Sequence, residues 1–205
     1  MSHNNFRRHL AVPALGAALL AFGSGCGDSV GPTVEPGPDL TTVQGAIFAL
    51  EDHYSRRQAE EAIALLAPDY TFTPALPESI PFLAMGETTW DYDQETAILN
   101  EMLVPEMTSW LDQVLLEITA QTITRNADSS DVVVEAEVEL SFLIGSVDLV
   151  QSQSEITMKY RRDSEGNYRL YDEVEALSLN PDTMEPWKEF TVGELRAQSL
   201  EDPLP

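Results

Sequence analysis

A single cysteine, three histidines and only 11 lysines and arginines stand among 205 residues, and each shortage excludes something. One cysteine, Cys26, allows neither an intrachain disulfide nor a thiolate metal cluster. His53 is the only histidine beyond the first nine residues, in Glu51-Asp52-His53 at an expected helix end, where it reads as solvated. With no second histidine near it and no His-Glu-x-x-His, no metal site is expected. Glycine-rich phosphate loops are lacking, no serine has a histidine and carboxylate context, and no cofactor is expected. Basic residues are outnumbered by 35 acidic ones, for a net charge of −24. A field of that sign repels phosphate backbones and excludes nucleic acid as a partner. The sequence also lacks a long hydrophobic run. The apolar stretch Leu10 to Phe22 is shorter than the roughly 20 residues a membrane-spanning helix needs.

What is present begins with that stretch. Arg7 and Arg8 precede it and Gly23-Ser24-Gly25 follow it, the layout of a secretory signal over residues 1–25. Ser24-Gly25-Cys26 resembles the cleavage junction of bacterial lipoproteins, with Gly23 standing where that pattern favours leucine. The resemblance implies acylation of Cys26 and anchoring in a lipid bilayer. The residue after Cys26 is not aspartate, which by the same resemblance favours the outer membrane, facing the periplasm or the exterior. Residues 26–38, rich in glycine and proline, read as a tether, and 39–205 as one folded domain. A folded part of about 150 residues buries roughly 68–70% of its unfolded surface, enough core without disulfides.

Within the domain the most regular pattern is Asp131 to Gly145. Val132, Val134, Ala136, Val138, Leu140, Phe142 and Ile144 alternate with Glu135, Glu137, Glu139 and Ser141, the period of a strand with one buried and one wet face. At about 3.3 Å per residue its thirteen residues span roughly 43 Å, long enough to expect a bend or bulge. Before it, a helix capped by Asp39 or Thr41 carries Val43, Ile47, Leu50 and Tyr54, and a second runs from Gln58 to Leu66 until Pro68. A short strand follows at Tyr70 to Thr73, then a proline-rich loop. A third helix starts at Asp91 or Asp93 and places Ile98, Met102 and Glu95 on one side. Period two returns at Leu111, with Val114, Leu116, Ile118 and Ala120 on one parity. It continues past the central strand in Asp148 to Arg162 and Tyr168 to Leu179, the last two joined by the hairpin signal Asp163 to Asn167. Trp187 to Leu200 is a tail placed to close one end of the sheet.

This order, with the run Ala62 to Phe72, Trp90 with Glu95, and Trp187 with Gly193-Glu194-Leu195, resembles the NTF2-like (SnoaL-like) superfamily and its lipoprotein members. The resemblance implies an α+β cone, N-terminal helices packed on a strongly curved antiparallel sheet of four long strands plus one short one. It also implies a homodimer as one assembly. The superfamily includes isomerases and dehydratases, but the register of Leu65-Leu66 puts Pro74 and Leu50 where a ketosteroid isomerase has its aspartate and tyrosine. Neither side chain can take a proton or stabilise an enolate.

Two sets of candidate site residues follow. Asp172 shares a parity with Tyr168, Leu170, Val174 and Ala176, so it can point into the cone as a base, or be turned outward by a bulge. Tyr54, Tyr70, Phe72, Trp90 and Phe142 are candidates to line a pocket for a small hydrophobic ligand, or simply to form core. The expectation is a non-catalytic, envelope-anchored module for small-molecule binding or protein assembly. Its rivals are a cone-pocket isomerase or dehydratase with Asp172 as base, and a purely structural envelope protein with an exposed apolar patch around Ile80 to Met85.

Overall fold

A computed structural model describes residues 37–125, 130–144, 148–179, 188 and 190–198. The signal, Cys26, most of the tether, Trp187 and parts of the expected turns at 126–130 and 145–146 lie outside the described residues.

The chain enters through α1, Val43–Ser55, whose cap is Thr42: its Oγ1 accepts the Gly45 N–H at 3.0 Å, while Asp39 accepts from Thr41 just upstream. A side chain at Gly45 would collide with the Asp39 carbonyl, 2.0 Å from an ideal Cβ. Arg57, left-handed at φ 56° beyond the helix, sends its guanidinium to the Leu111 carbonyl at 2.6 Å and to Thr108. The second helix, α2, is shorter than the sequence suggests, only Ala59–Ile63. The chain is already extended by Leu66, and β1 runs Leu66–Thr73 with Pro68 inside an irregular stretch of its pairing. Proline is tolerated there because a broken ladder needs no N–H from it.

A two-residue strand, β2 (Trp90–Asp91), leads into α3, Tyr92–Leu103. Asp91 caps that helix and Gln94 Oε1 accepts the Asp91 N–H in return, a complete capping box. Four long strands follow: β3 Leu111–Arg125, β4 Val132–Ile144, β5 Asp148–Arg162 and β6 Tyr168–Leu177. The turn between β5 and β6 closes on Asp163, whose Oδ1 accepts the Glu165 and Asn167 N–H groups, with Gly166 at φ 88°. Last comes α4, Val192–Gln198.

The sheet order is β2-β1-β6-β5-β4-β3, and every neighbouring pair is antiparallel except β1 with β6. The short strand thus joins in parallel, and β2 adds a sixth member. β4 lies next to the edge strand β3 and pairs without interruption to β5; the irregularity expected in β4 sits instead in β3, where Asp112 and Gln121 are extra residues. Glu51 of α1 accepts the Ile118 N–H of this edge strand at 2.7 Å, covering part of the open edge. Helices and sheet enclose one apolar core that includes Ile47, Leu50, Phe72, Ile98, Met102, Val114, Val138, Leu140 and Phe142.

Candidate functional site inside the cone

The decisive local feature is a bulge in β6. Tyr160 of β5 faces Leu170 and Lys159 faces Asp172, leaving Tyr171 unmatched, and β1 shifts its register beside the same residues. One extra residue exchanges the two faces of a strand. Tyr168 and Leu170 are buried before the bulge; after it Glu173 and Glu175 are buried and Val174 is exposed.

Asp172 therefore stands outside the cone, a correction to its expected role as an inward base. Its Oδ2 accepts from Lys159 Nζ at 2.7 Å and its Oδ1 from Thr71 Oγ1 at 2.8 Å, so both oxygens are engaged on the sheet's outer face. Of the five aromatic residues proposed for a pocket, Tyr54 borders the interior void; Tyr70, Phe72, Trp90 and Phe142 are fully buried and are not among the residues lining it. Phe72 and Trp90 stack with centroids 4.2 Å apart, and Phe82 meets Trp90 in a tilted contact at 5.5 Å. Within Ile80 to Met85, Ile80 is buried and Met85 fully exposed, so the stretch is not a continuous apolar patch. His53 Nδ1 lies 2.9 Å from Gln58 Oε1 at the end of α1.

What the bulge brings inside is a charged cluster. Arg196 of α4 pairs with Glu95 of α3 and, at 3.3 Å, with Glu173 of β6. All three are almost wholly buried. Each carboxylate is also held by a group from another strand: Trp90 Nε1–H donates to Glu95 at 2.7 Å, and the Tyr70 hydroxyl donates to Glu173. The guanidinium carbon lies 4.7 Å from the Phe72 ring centroid and 5.8 Å from that of Trp90. Desolvation raises the Glu95 carboxyl above its ordinary range, although Arg196 pulls it down. Burial works against the Arg196 charge, but the fields of Glu95 and its neighbours outweigh it and the guanidinium stays protonated. Burial, reinforced by Glu173 and Glu95, likewise keeps Tyr70 neutral.

A second latch holds the same helix. Glu175 accepts from Ser154 Oγ at 2.6 Å, from the Gly193 N–H at 2.9 Å and from the Ala75 N–H at 3.0 Å, while Ser154 Oγ accepts the Val192 N–H. Beside Arg196 the free interior space is about 20 Å³, bordered by Tyr54, Glu95, Glu173 and apolar side chains of α1, α3 and the long strands. That is room for one water and not for a substrate.

The sequence reading singled out Glu95 but not Glu173, Glu175 or Arg196. The only sequence signal for the two glutamates is that restoring period two after Tyr171 requires dropping one residue, which exchanges Val174 and Ala176 for Glu173 and Glu175.

No family model matches the sequence, and no curated protein matches it. Solved structures do resemble the fold. An NTF2-like protein of unknown function from Pseudomonas putida KT2440 aligns over 73% of this chain and 93% of its own at 15% identity, TM-score 0.48. A "putative scytalone dehydratase" from Novosphingobium aromaticivorans DSM 12444 aligns over 72% of this chain and 92% of its own at 12% identity, TM-score 0.52. A "putative aromatic ring hydroxylase" from Novosphingobium aromaticivorans aligns over 69% and 90% at 10% identity, TM-score 0.51. The fold is the NTF2-like cone. Identities this low carry the architecture alone, because one NTF2-like scaffold serves many chemistries. Within this fold, α4 packs against β4, β5 and α3, and its Arg196 fills the space beside Glu95 and Glu173.

Proposed function

We propose that this chain is a non-catalytic NTF2-like module, anchored to the bacterial envelope by acylated Cys26, that works by docking a partner on its outer surface. The observation carrying the reading is the filled cone: an interior void of about 20 Å³ beside an arginine already paired to the interior acids. The candidate base Asp172 is outside and engaged with Lys159 and Thr71, which removes the residue on which isomerase or dehydratase chemistry was to rest. The outer face is charged: Glu117 opposes Glu139 across β3 and β4, and Glu137 opposes Glu155 across β4 and β5. Like charges in register repel, so an apolar dimer surface is disfavoured there and the homodimer, if formed, uses another part of the sheet. Anchoring rests on the Ser24-Gly25-Cys26 junction. Among the described residues no helix is long and apolar enough to cross a membrane.

The test has two arms. Thermal unfolding in the presence of 1-anilinonaphthalene-8-sulfonate and a panel of aromatic ketones and phenols is expected to show no saturable stabilisation. A saturable shift that disappears in Tyr54→Trp, which fills the void, would overturn the filled-cone reading. Cell fractionation of Cys26→Ser is expected to release the protein from membranes; a variant that still sediments with them overturns the anchor.

A further inference from the structure

The surroundings of Arg196 are those of a cation receptor built by the rest of the cone. Two carboxylates come from separate elements, Glu95 from α3 and Glu173 from β6, and converge on one guanidinium. They are positioned by donors that do not belong to α4: the Trp90 indole N–H on Glu95 and the Tyr70 hydroxyl on Glu173. Phe72 and Trp90 place their stacked rings within 4.7 and 5.8 Å of the charge, the arrangement in which an aromatic quadrupole attracts a cation. Paired acids, an aromatic wall and tethering donors together define a site for a planar cation. Its occupant is supplied by a seven-residue helix whose second attachment runs through the Glu175 and Ser154 side chains.

We infer that the interior of the cone is a binding site for guanidinium-type cations, that α4 closes it in cis with Arg196, and that a chain lacking this side chain accepts an exogenous alkylguanidinium in its place. The juxtaposition of Glu95, Glu173, Phe72 and Trp90 around one guanidinium carries the inference. It is independent of the outer-surface reading above, which concerns hydrophobic ligands and partners: the site is chemically suited to a cation and is closed while α4 stays seated. Planarity matters, because a guanidinium offers a fork of donors to two carboxylates while an ammonium is a compact point charge.

The test is thermal unfolding of the full chain as wild type, Arg196→Ala, Arg196→Gln and Arg196→Ala/Glu95→Gln, in millimolar ethylguanidinium chloride against sodium chloride of equal ionic strength. Ethylguanidinium supplies the atoms that alanine removes from arginine. Arg196→Ala is expected to melt below wild type and to regain roughly 5 °C or more, saturably, with ethylguanidinium. Wild type is expected to be insensitive and the double variant to respond far less. If Arg196→Ala does not fold alone, its refolding yield with and without ethylguanidinium gives the same comparison. Arg196→Gln, which keeps a neutral hydrogen-bonding side chain in the site, is expected to be less responsive than alanine. Equal responses in wild type and Arg196→Ala, a response in Arg196→Ala undiminished by Glu95→Gln, or no response beyond that of sodium chloride would each overturn the proposal.

Discussion

Replacing Arg196 by methionine removes the charge from the cone while keeping most of the side-chain volume. The guanidinium is almost fully buried and faces Glu95 and Glu173, both buried as well, so the variant leaves two carboxylates without their counter-charge. Breaking a buried pair by deleting one partner costs about 3–5 kcal/mol, because the remaining charge stays desolvated. For a domain of this size the loss corresponds to a fall of roughly 6–20 °C in melting temperature, severe but within a typical total stability of about 5–15 kcal/mol. The pH dependence gives the argument its sign. Burial already raises the Glu95 carboxyl above its ordinary value of 4.5, and Arg196 is the charge that pulls it down. Removing that charge raises it further. A group whose folded value lies above its unfolded one adds stability below the unfolded value and loses it as pH rises through the folded value. The deficit of Arg196→Met is therefore largest at neutral pH and narrows as pH falls toward 4.5. Urea denaturation of wild type and variant, at neutral pH and at about pH 5, measures it. A loss below about 1 kcal/mol at neutral pH, or a deficit that does not change with pH, would refute the reasoning.

Three further outcomes are expected. Gly193→Ala puts a Cβ 2.7 Å from Glu175 Oε2 and 3.1 Å from the Phe72 ring, so it loosens the α4 latch. Its stability falls by about 1–3 kcal/mol, with faster amide exchange in α4 than in the long strands. Glu51→Gln keeps an acceptor for the Ile118 N–H but removes a carboxyl that burial raises above 4.5. Wild type is then most favoured relative to the variant below that value and loses ground as pH rises, which paired urea titrations will show. Asp172→Asn weakens an ion pair with the half-buried Lys159 on the outer face, and chemical denaturation should show a change within about 1 kcal/mol.

Much of the cone was legible in the chain because local pattern and global fold agree along it. The alternation from Val132 to Ile144 survives as β4 with Val134, Val138, Leu140 and Phe142 inside, and the capping signal at Asp91 starts α3 with Glu95 turned inward, as its spacing suggests. Pattern failed where the pairing is irregular. The second helix ends early because Leu66 is taken into β1 beside Leu170, a partner about a hundred residues away. Asp172 shares a parity with buried residues only while β6 is counted as regular; the unmatched Tyr171 reverses that parity and brings in Glu173 and Glu175.

The sequence by itself determined the order of the first three helices, the short strand and the four long strands, and the strand faces up to the bulge, but neither β2 nor α4. These follow from composition and from side-chain periods of two and 3.6 residues, which each segment carries locally. Only the tertiary structure decided that β1 runs parallel to β6, that a bulge aims two glutamates inward, and that Arg196 arrives from α4 to meet them. Those outcomes depend on which distant segments pair and on where a buried charge finds its partner. Two carboxylates on β6 are tolerable inside the cone because a guanidinium and a tyrosine hydroxyl reach Glu173 and backbone N–H groups from elsewhere in the chain reach Glu175.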